Sequence, residues 1–191
     1  MKKNISLLIL LMILSCPAFC EVLLIQDITL SFLTAENHYE YYDKIKWTNN
    51  LSNIKGAGIL EIPFSLGLSA IVKMNKKSDF AKFYLGGGLQ FDGYGAILDA
   101  SFTPAVSFVL SQEHFPMELM ILSKFGAGSC IIWPTFYMFA ELNPCFLCFF
   151  GQNNSFFAGL GPVIRYTQTY NYEIFNRTDF GMTINFGYRW K

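Results

Sequence analysis

The feature that most constrains this chain is a stretch of strict alternation near its C-terminal end, DFGMTINFGYRW (179–190). From Phe180 to Trp190 every second side chain is large and apolar, and the residues between them are small or polar. Successive side chains of a β-strand point to opposite faces, so this pattern predicts a strand with one apolar and one polar face. The stretch is longer than an average strand of a soluble protein. Its apolar face therefore contacts either a protein core or the hydrocarbon of a membrane.

Similar alternation recurs along the chain and predicts a set of strands in which the fifth and sixth are the least regular. These strands span residues 22–34, 58–73, 80–92, 96–111, 115–126, 131–142, 155–170 and 178–190. A helix is disfavoured within the apolar segment from 119 to 140, because Gly126, Gly128 and Pro134 interrupt it. A soluble β-sandwich or a lipocalin-like barrel would also alternate, so the pattern alone leaves open which medium lies outside.

The N-terminal stretch, MKKNISLLILLMILSCPAFCEV, combines two lysines with an apolar run and several small residues. This order is typical of a secretory signal peptide, and it predicts a leader at 1–20 and an exported domain at 21–191. Cleavage after Ala18 instead of Cys20 stays open. So does lipidation of Cys16, because ILSC is a loose form of the lipobox of lipid-anchored proteins. The apolar run is short of the roughly 20 residues that a membrane-spanning helix needs.

Composition favours lipid on the outside of the predicted strands. Only 15% of the residues are charged, compared with roughly 25% in an average soluble domain. We predict an all-β fold, an eight-stranded antiparallel up-and-down transmembrane β-barrel, because only helices and closed barrels satisfy the backbone in lipid. The polar faces hold a few charges among small residues, and lone buried charges are costly. We therefore predict a lumen network of paired charges that includes Glu61, Lys82, Asp99, Arg165 and Arg189.

The connection at 35–57 is long, polar and rich in aromatic residues. Tyr39, Tyr41, Tyr42 and Trp47 lie in it among several charged residues, a composition that is common in recognition surfaces. We predict that these four side chains are candidates for recognition in an outer loop. The alternative is that the loop folds back on the barrel rim and places its rings at the lipid interface.

Loop length also predicts the orientation of the barrel, since outer loops are normally longer than periplasmic turns. If both chain ends lie on the periplasmic side, the long connection at 35–57 faces outward. The outer connections DGYG and GAGSC are short, however, and the inner connection at 143–154 is long. The rule is therefore obeyed only in part.

Three motifs suggest a family: LEIPFSLGL (60–68), FYLGGGLQFDGYGA (83–96) and FNRTDFGMTINFGYRW (175–190). Together they resemble the small outer-membrane β-barrel domains of the PorT-like and OmpA/OmpW-like groups. The resemblance implies an eight-stranded barrel in the bacterial outer membrane. It also implies insertion by the outer-membrane assembly machinery, which reads a terminal aromatic residue. This chain departs from that signal, because Trp190 is followed by Lys191.

Few residues indicate chemistry. His38 and His114 fall in predicted connections, each with two glutamates nearby in the sequence. We interpret them as exposed loop histidines, and we predict no metal, cofactor or catalytic residue. The motif CFLC holds Cys145 and Cys148, which form either a disulfide in an oxidising periplasm or two thiols that are buried or face lipid. The net charge is zero and the sequence shows no basic patch, so we expect no nucleic-acid partner.

These observations predict a non-enzymatic protein of the bacterial outer membrane, with a structural or surface-interaction role that uses its outer loops. The expected partners are outer-membrane lipid, the assembly machinery and an unidentified surface ligand. Two alternatives remain open. One is a narrow, OmpW-like channel for small or hydrophobic solutes, and the other is a soluble or lipid-anchored periplasmic binding barrel.

Overall fold

A computed structural model describes residues 21–38, 46–49, 64–75, 80–93, 97–112, 115–130, 136–170 and 175–191. Most of these residues lie in strands, which are β1 (Val22–His38), β2 (Lys46–Asn49), β3 (Phe64–Lys73), β4 (Ala81–Asp92), β5 (Ile97–Phe102), β6 (Ala105–Ser111), β7 (Met117–Cys130), β8 (Phe136–Phe150), β9 (Phe156–Tyr170) and β10 (Phe175–Trp190). A short 3₁₀ helix, Gln152–Asn154, lies between β8 and β9. In this described part of the chain, no helix is long and apolar enough to cross a membrane.

Antiparallel pairing closes these strands into a barrel. The ladder between β1 and β10 runs from Val22 opposite Trp190 to His38 opposite Phe175, and it joins the two ends of the sheet. β5 and β6 occupy one position, because both lie between β4 and β7. β2 pairs with the outer end of β1 and is not one of the strands that close the barrel. The described strands thus occupy eight positions around the barrel, and we call the strand or strands at each position a stave. This confirms the predicted eight-stranded antiparallel barrel.

The break between β5 and β6 lies at Thr103 and Pro104. Proline has no N–H group and cannot complete a ladder in the middle of a sheet. The stave nevertheless stays attached on both sides. The Thr103 N–H donates to the Gly86 carbonyl at 2.9 Å, and the Pro104 carbonyl accepts from the Ser123 N–H at 3.0 Å.

The largest errors of the sequence prediction concern the fifth and sixth predicted strands, which correspond to β7 and β8. The strand predicted at 131–142 is Phe136–Phe150, so the connection predicted at 143–154 shrinks to a short turn after Phe150. GAGSC is likewise part of β7 and not an outer connection. Alternation is obscured here because Met120, Leu122 and Leu147 are apolar side chains that nevertheless point into the barrel. The exception to the loop-length rule at 143–154 therefore disappears, whereas the outer connection between β7 and β8 is still short at 131–135.

The outer end of the barrel is formed in part by a projecting sheet. β1 continues past Leu33 to pair with β2 on one side and with the start of β10 on the other. We call residues 33–38, 46–49 and 175–180 the outer ribbon. The predicted leader at 1–20 and residues 58–63 of the predicted second strand lie outside the described residues.

The burial pattern is the reverse of that in a soluble barrel. Large apolar side chains are exposed on the outer face of every stave, among them Leu30, Leu66, Leu68, Phe83, Leu89, Leu98, Phe102, Phe125, Leu142, Leu160, Ile164 and Ile184. Lys124 is among the largest fully buried side chains of the described residues, at 1% exposed. Since the charges are inside and the apolar surface is outside, the outer face is suited to hydrocarbon and not to water.

We expect the substitution Leu68→Arg to lower the free energy of unfolding by about 2–4 kcal/mol, the cost of an arginine on the lipid face near the middle of a bilayer. Leu68 is 46% exposed and lies near the middle of β3. Urea unfolding of the barrel in phospholipid vesicles, followed by heat-dependent mobility on gels, measures this loss.

Gln112→Arg is the matched control, because Gln112 is exposed in the connection that follows β6. It should change the free energy of unfolding by less than about 0.5 kcal/mol, as is usual for surface substitutions. Equal, small effects of both substitutions would contradict a lipid-facing position for Leu68.

Candidate functional site: the barrel lumen

The lumen holds most of the buried charge of the described residues. An eight-stranded barrel is just wide enough inside for side chains to fill it. Here the inward-pointing charges form three clusters along the barrel axis, and an apolar layer separates the first from the second. We name the clusters inner, middle and outer, beginning at the end where β1 starts and β10 finishes.

The inner cluster consists of Glu21, Lys82, Glu118 and Arg189. Glu118 is its centre: Oε1 accepts from Lys82 Nζ and from Arg189 Nη2, both at 2.6 Å. Glu21 lies 3.1 Å from Arg189 Nε and accepts a hydrogen bond from the Tyr84 hydroxyl at 2.7 Å. The guanidinium of Arg189 also lies over the ring of a lumen phenylalanine, 3.4 Å from its centroid. Both basic groups therefore have carboxylate partners at this end of the barrel.

An apolar layer fills the lumen next to the inner cluster. It consists of Leu23, Ile25, Ile71, Tyr84, Ala105, Met120, Leu122, Cys145, Leu147, Phe149 and Phe157, all of which are at most 4% exposed. The rings of Phe149 and Phe157 lie 5.6 Å apart and pack in a tilted arrangement. This layer interrupts the polar interior, because side chains from staves on all sides of the barrel meet within it.

The middle cluster surrounds Lys124. Its Nζ donates to Asp27 Oδ1 at 2.8 Å and lies 3.2 Å from Glu141 Oε1. Gln90 bridges Lys124 and Glu141, since its amide accepts from Lys124 at 3.4 Å and donates to Glu141 at 3.3 Å. The Gln90 amide also donates to the Ser65 hydroxyl at 2.9 Å. One buried cation thus lies between two buried carboxylates from different staves.

The outer cluster contains two arginines and three aspartates. Arg165 Nη2 donates to Asp99 at 2.7 Å, and its Nη1 lies 3.4 Å from Asp92. Arg177 bridges Asp92 at 3.1 Å and Asp179 at 2.7 Å. The Thr34 hydroxyl donates to the other oxygen of Asp179, also at 2.7 Å. These contacts tie the base of the outer ribbon to the lumen.

Four of the five charged residues that the sequence predicts for the lumen lie in its clusters. Lys82 and Arg189 share Glu118 in the inner cluster, and Asp99 pairs with Arg165 in the outer cluster. Glu61 lies outside the described residues.

Tyr39, Tyr41 and Tyr42 lie outside the described residues, and the backbone of Trp47 pairs with Ala35 in the outer ribbon.

The disulfide between Cys145 and Cys148, one of the two alternatives that the sequence leaves open, is not formed. Both cysteines are free; Cys145 is buried in the lumen and Cys148 is exposed on the outer face. They are three positions apart along one strand, an odd number, so their side chains point to opposite faces and cannot approach to bonding distance. The alternative of one buried and one lipid-facing thiol is what the structure shows.

The alternation of the sequence does not assign several central residues to the lumen. Glu118 and Lys124 belong to β7, and Glu141 belongs to β8, the two strands whose alternation was obscured. The available signal was their spacing: Glu118 and Lys124 are an even number of residues apart and therefore share a face. In the described ranges, no group of three or more His, Cys, Asp or Glu side chains is arranged to hold a metal ion.

Comparison of the sequence with protein-family models and with curated proteins gave no match. Among solved structures, the chain is similar to Ail, the attachment invasion locus protein of Yersinia pestis, with a TM-score of 0.37 and 10% sequence identity. The match covers 89% of this chain and 98% of Ail. The fold is therefore established by the strand pairing described above, and a closed barrel with an apolar exterior and a charged lumen is of the outer-membrane type. Membership in the PorT-like or OmpA/OmpW-like groups stays a prediction.

We expect Lys124→Met to destabilise the barrel by about 3–5 kcal/mol, because Asp27 and Glu141 would remain buried without their cation. The triple variant that adds Asp27→Asn and Glu141→Gln removes all three charges and should recover most of the loss. Urea titration of the barrel in detergent micelles measures both changes. A single variant as stable as the wild type would show that the middle cluster is not a coupled ion-pair network.

Proposed function

We propose that the protein is a non-enzymatic protein of the bacterial outer membrane that acts through its outer loops, with the barrel as a sealed anchor. The observation that carries this proposal is the filled lumen. Eleven side chains form a continuous apolar layer across it, and the charges on either side pair with one another. A barrel that is closed in this way is better suited to hold a surface structure than to transport a polar solute.

The outer ribbon supports the same proposal. It extends the sheet beyond the staves through the pairing of β1 with β2 and β10. Asp179 is held by Arg177 and Thr34, so the base of the ribbon is fixed by buried contacts. A rigid base of this kind would present the connection that carries Tyr39, Tyr41, Tyr42 and Trp47. We propose that these aromatic residues bind a surface partner.

The alternatives predict different behaviour. A soluble periplasmic barrel would place charges on its surface, whereas Leu68 and Leu89 are exposed and Lys124 is buried. A narrow channel would need an opening through the apolar layer or through the wall. Conductance distinguishes the channel from the sealed anchor.

In planar lipid bilayers, we expect the purified wild-type barrel to produce no stepwise conductance. The double variant Leu122→Ala with Phe157→Ala is the positive control, because it shortens two side chains of the apolar layer. It should produce small conductance steps if the assay can detect an open lumen. Heat-dependent gel mobility checks that both proteins are folded. Clear steps in the wild type would favour the channel for small solutes instead.

For the surface role, we expect intact cells that display the protein to bind members of an immobilised panel of extracellular proteins and glycans. Replacing Tyr39, Tyr41, Tyr42 and Trp47 by serine should reduce this binding at least tenfold, a loss of about 1.4 kcal/mol or more.

The matched control replaces Phe80 and Phe115 by serine, because these aromatic side chains are exposed at the opposite end of the barrel. Their loss should leave cell binding unchanged. Equal binding by all three proteins would contradict recognition through the outer aromatic residues and would leave the sealed anchor as a structural component of the membrane.

A further inference from the structure

The lipid-facing surface of β1 carries one residue that does not suit hydrocarbon, Gln26. It is exposed and stands in an otherwise apolar row between Leu24 and Ile28. Its partners in the two neighbouring staves are Leu68 and Phe186, which are apolar as well. The side-chain amide of Gln26 has no hydrogen-bonding partner among the described residues.

Gln26 lies at hydrocarbon depth. It is the fourth residue after Val22, where β1 begins. A strand rises about 3.3 Å per residue and is tilted by about 40° in such barrels, so the amide lies about 10 Å above the inner end of an apolar band that is about 25 Å tall. An aromatic row marks the inner boundary below it, with Tyr188 and Trp190 in edge-to-face contact at 4.5 Å.

A groove with a volume of about 370 Å³ lies beside this amide on the outer surface. Its lining includes Leu24, Gln26, Phe150, Phe156, Phe186 and Tyr188. The ring of Phe156 stacks on Phe150 at 6.2 Å and meets Tyr188 edge-on at 5.1 Å, so one wall of the groove is a packed row of rings. The surface around Gln26 is therefore concave, apolar and held in shape by aromatic contacts.

A primary amide offers both donors and acceptors, and lipid chains can satisfy neither. A second copy of this chain can satisfy both. Two barrels inserted in the same direction are related by a two-fold axis along the membrane normal, which brings identical residues together at equal depth. The donor of one Gln26 amide then meets the acceptor of the other, and apolar neighbours of each copy enter the groove of its partner.

We propose that the face formed by Gln26 and this groove is the interface of a homodimer within the membrane. The inference needs the barrel to lie in a membrane but is independent of what the outer loops bind. Polar side chains that hydrogen-bond between spanning segments strengthen association, as known for transmembrane helices. Here one such contact is flanked by Leu24 and Phe186, which supply the apolar packing around it.

The first test is cross-linking in native membranes with Leu68→Cys, in a chain whose Cys130 and Cys148 are replaced by serine. Leu68 lies opposite Gln26 at the same depth, so this variant keeps the Gln26 amide. Oxidation or a short bis-maleimide should convert most of the protein to a species of twice the monomer mass. Ile121→Cys in the same background is the control, since Ile121 is exposed on the opposite stave, four residues from the inner end of β7. It should yield at least tenfold less dimer. Equal yields from the two positions would overturn the proposal.

The second test measures the dimer without a cross-link. In detergent micelles, sedimentation of the wild type should show a concentration-dependent dimer, and Gln26→Leu should raise its dissociation constant at least tenfold. The barrel of this variant should remain heat-modifiable and at least as stable as the wild type, because leucine suits lipid better than glutamine. Gln26→Asn, which keeps an amide, should restore part of the dimer. A wild type that stays monomeric at every concentration would also overturn the proposal.

Discussion

A sheet that contacts hydrocarbon can leave no backbone N–H or carbonyl group without a partner, because lipid offers none. The ladder between β1 and β10 largely meets this requirement, since it joins the first and last staves from end to end with one bulge at Phe32. Even the interruption at Pro104 is bridged by hydrogen bonds to both neighbours. Once the sheet closes on eight staves, its radius is fixed, and the interior has room for side chains and little else.

That narrow interior explains why the lumen is layered. A charged side chain can be buried only beside an oppositely charged partner, and large residues on adjoining staves would occupy the space that the pair needs. Small residues on those staves leave this space open. A Cβ atom at Gly67 would overlap the carboxylate of Asp27, and one at Gly128 would overlap that of Asp99. Glycine beside each acid thus allows the carboxylate to reach Lys124 or Arg165, and the remaining volume is filled by the apolar layer.

A barrel that is filled in this way leaves two places for function. One is the end that carries the outer ribbon, where Arg177 and Asp179 fix the base of the ribbon from inside. The other is the lipid-facing surface, on which Gln26 is a polar exception beside a rigid aromatic groove. The lumen contributes stability to both, because its ion pairs join staves that are distant in the sequence.

Much of the barrel could be predicted from the sequence, since alternation is a local property with a period of two residues. The strands β9 and β10 can be predicted from their alternation, because glycine, threonine and arginine lie on one face and large apolar residues lie on the other. The charges Lys82, Asp99 and Arg165 could be assigned to the lumen for the same reason. β7 and β8 could not be read in this way, because Met120 and Leu147 are apolar and yet point inward.

What the sequence by itself determined is a set of two-faced strands, and with them an antiparallel barrel that is polar inside. Only the tertiary structure decided that an apolar layer lies across the lumen, that Lys124 lies between Asp27 and Glu141, and that Cys145 and Cys148 cannot bond. These features depend on the stagger between neighbouring staves and on where each strand ends. Residues far apart in the chain meet only when the sheet closes, so no local pattern records their contacts.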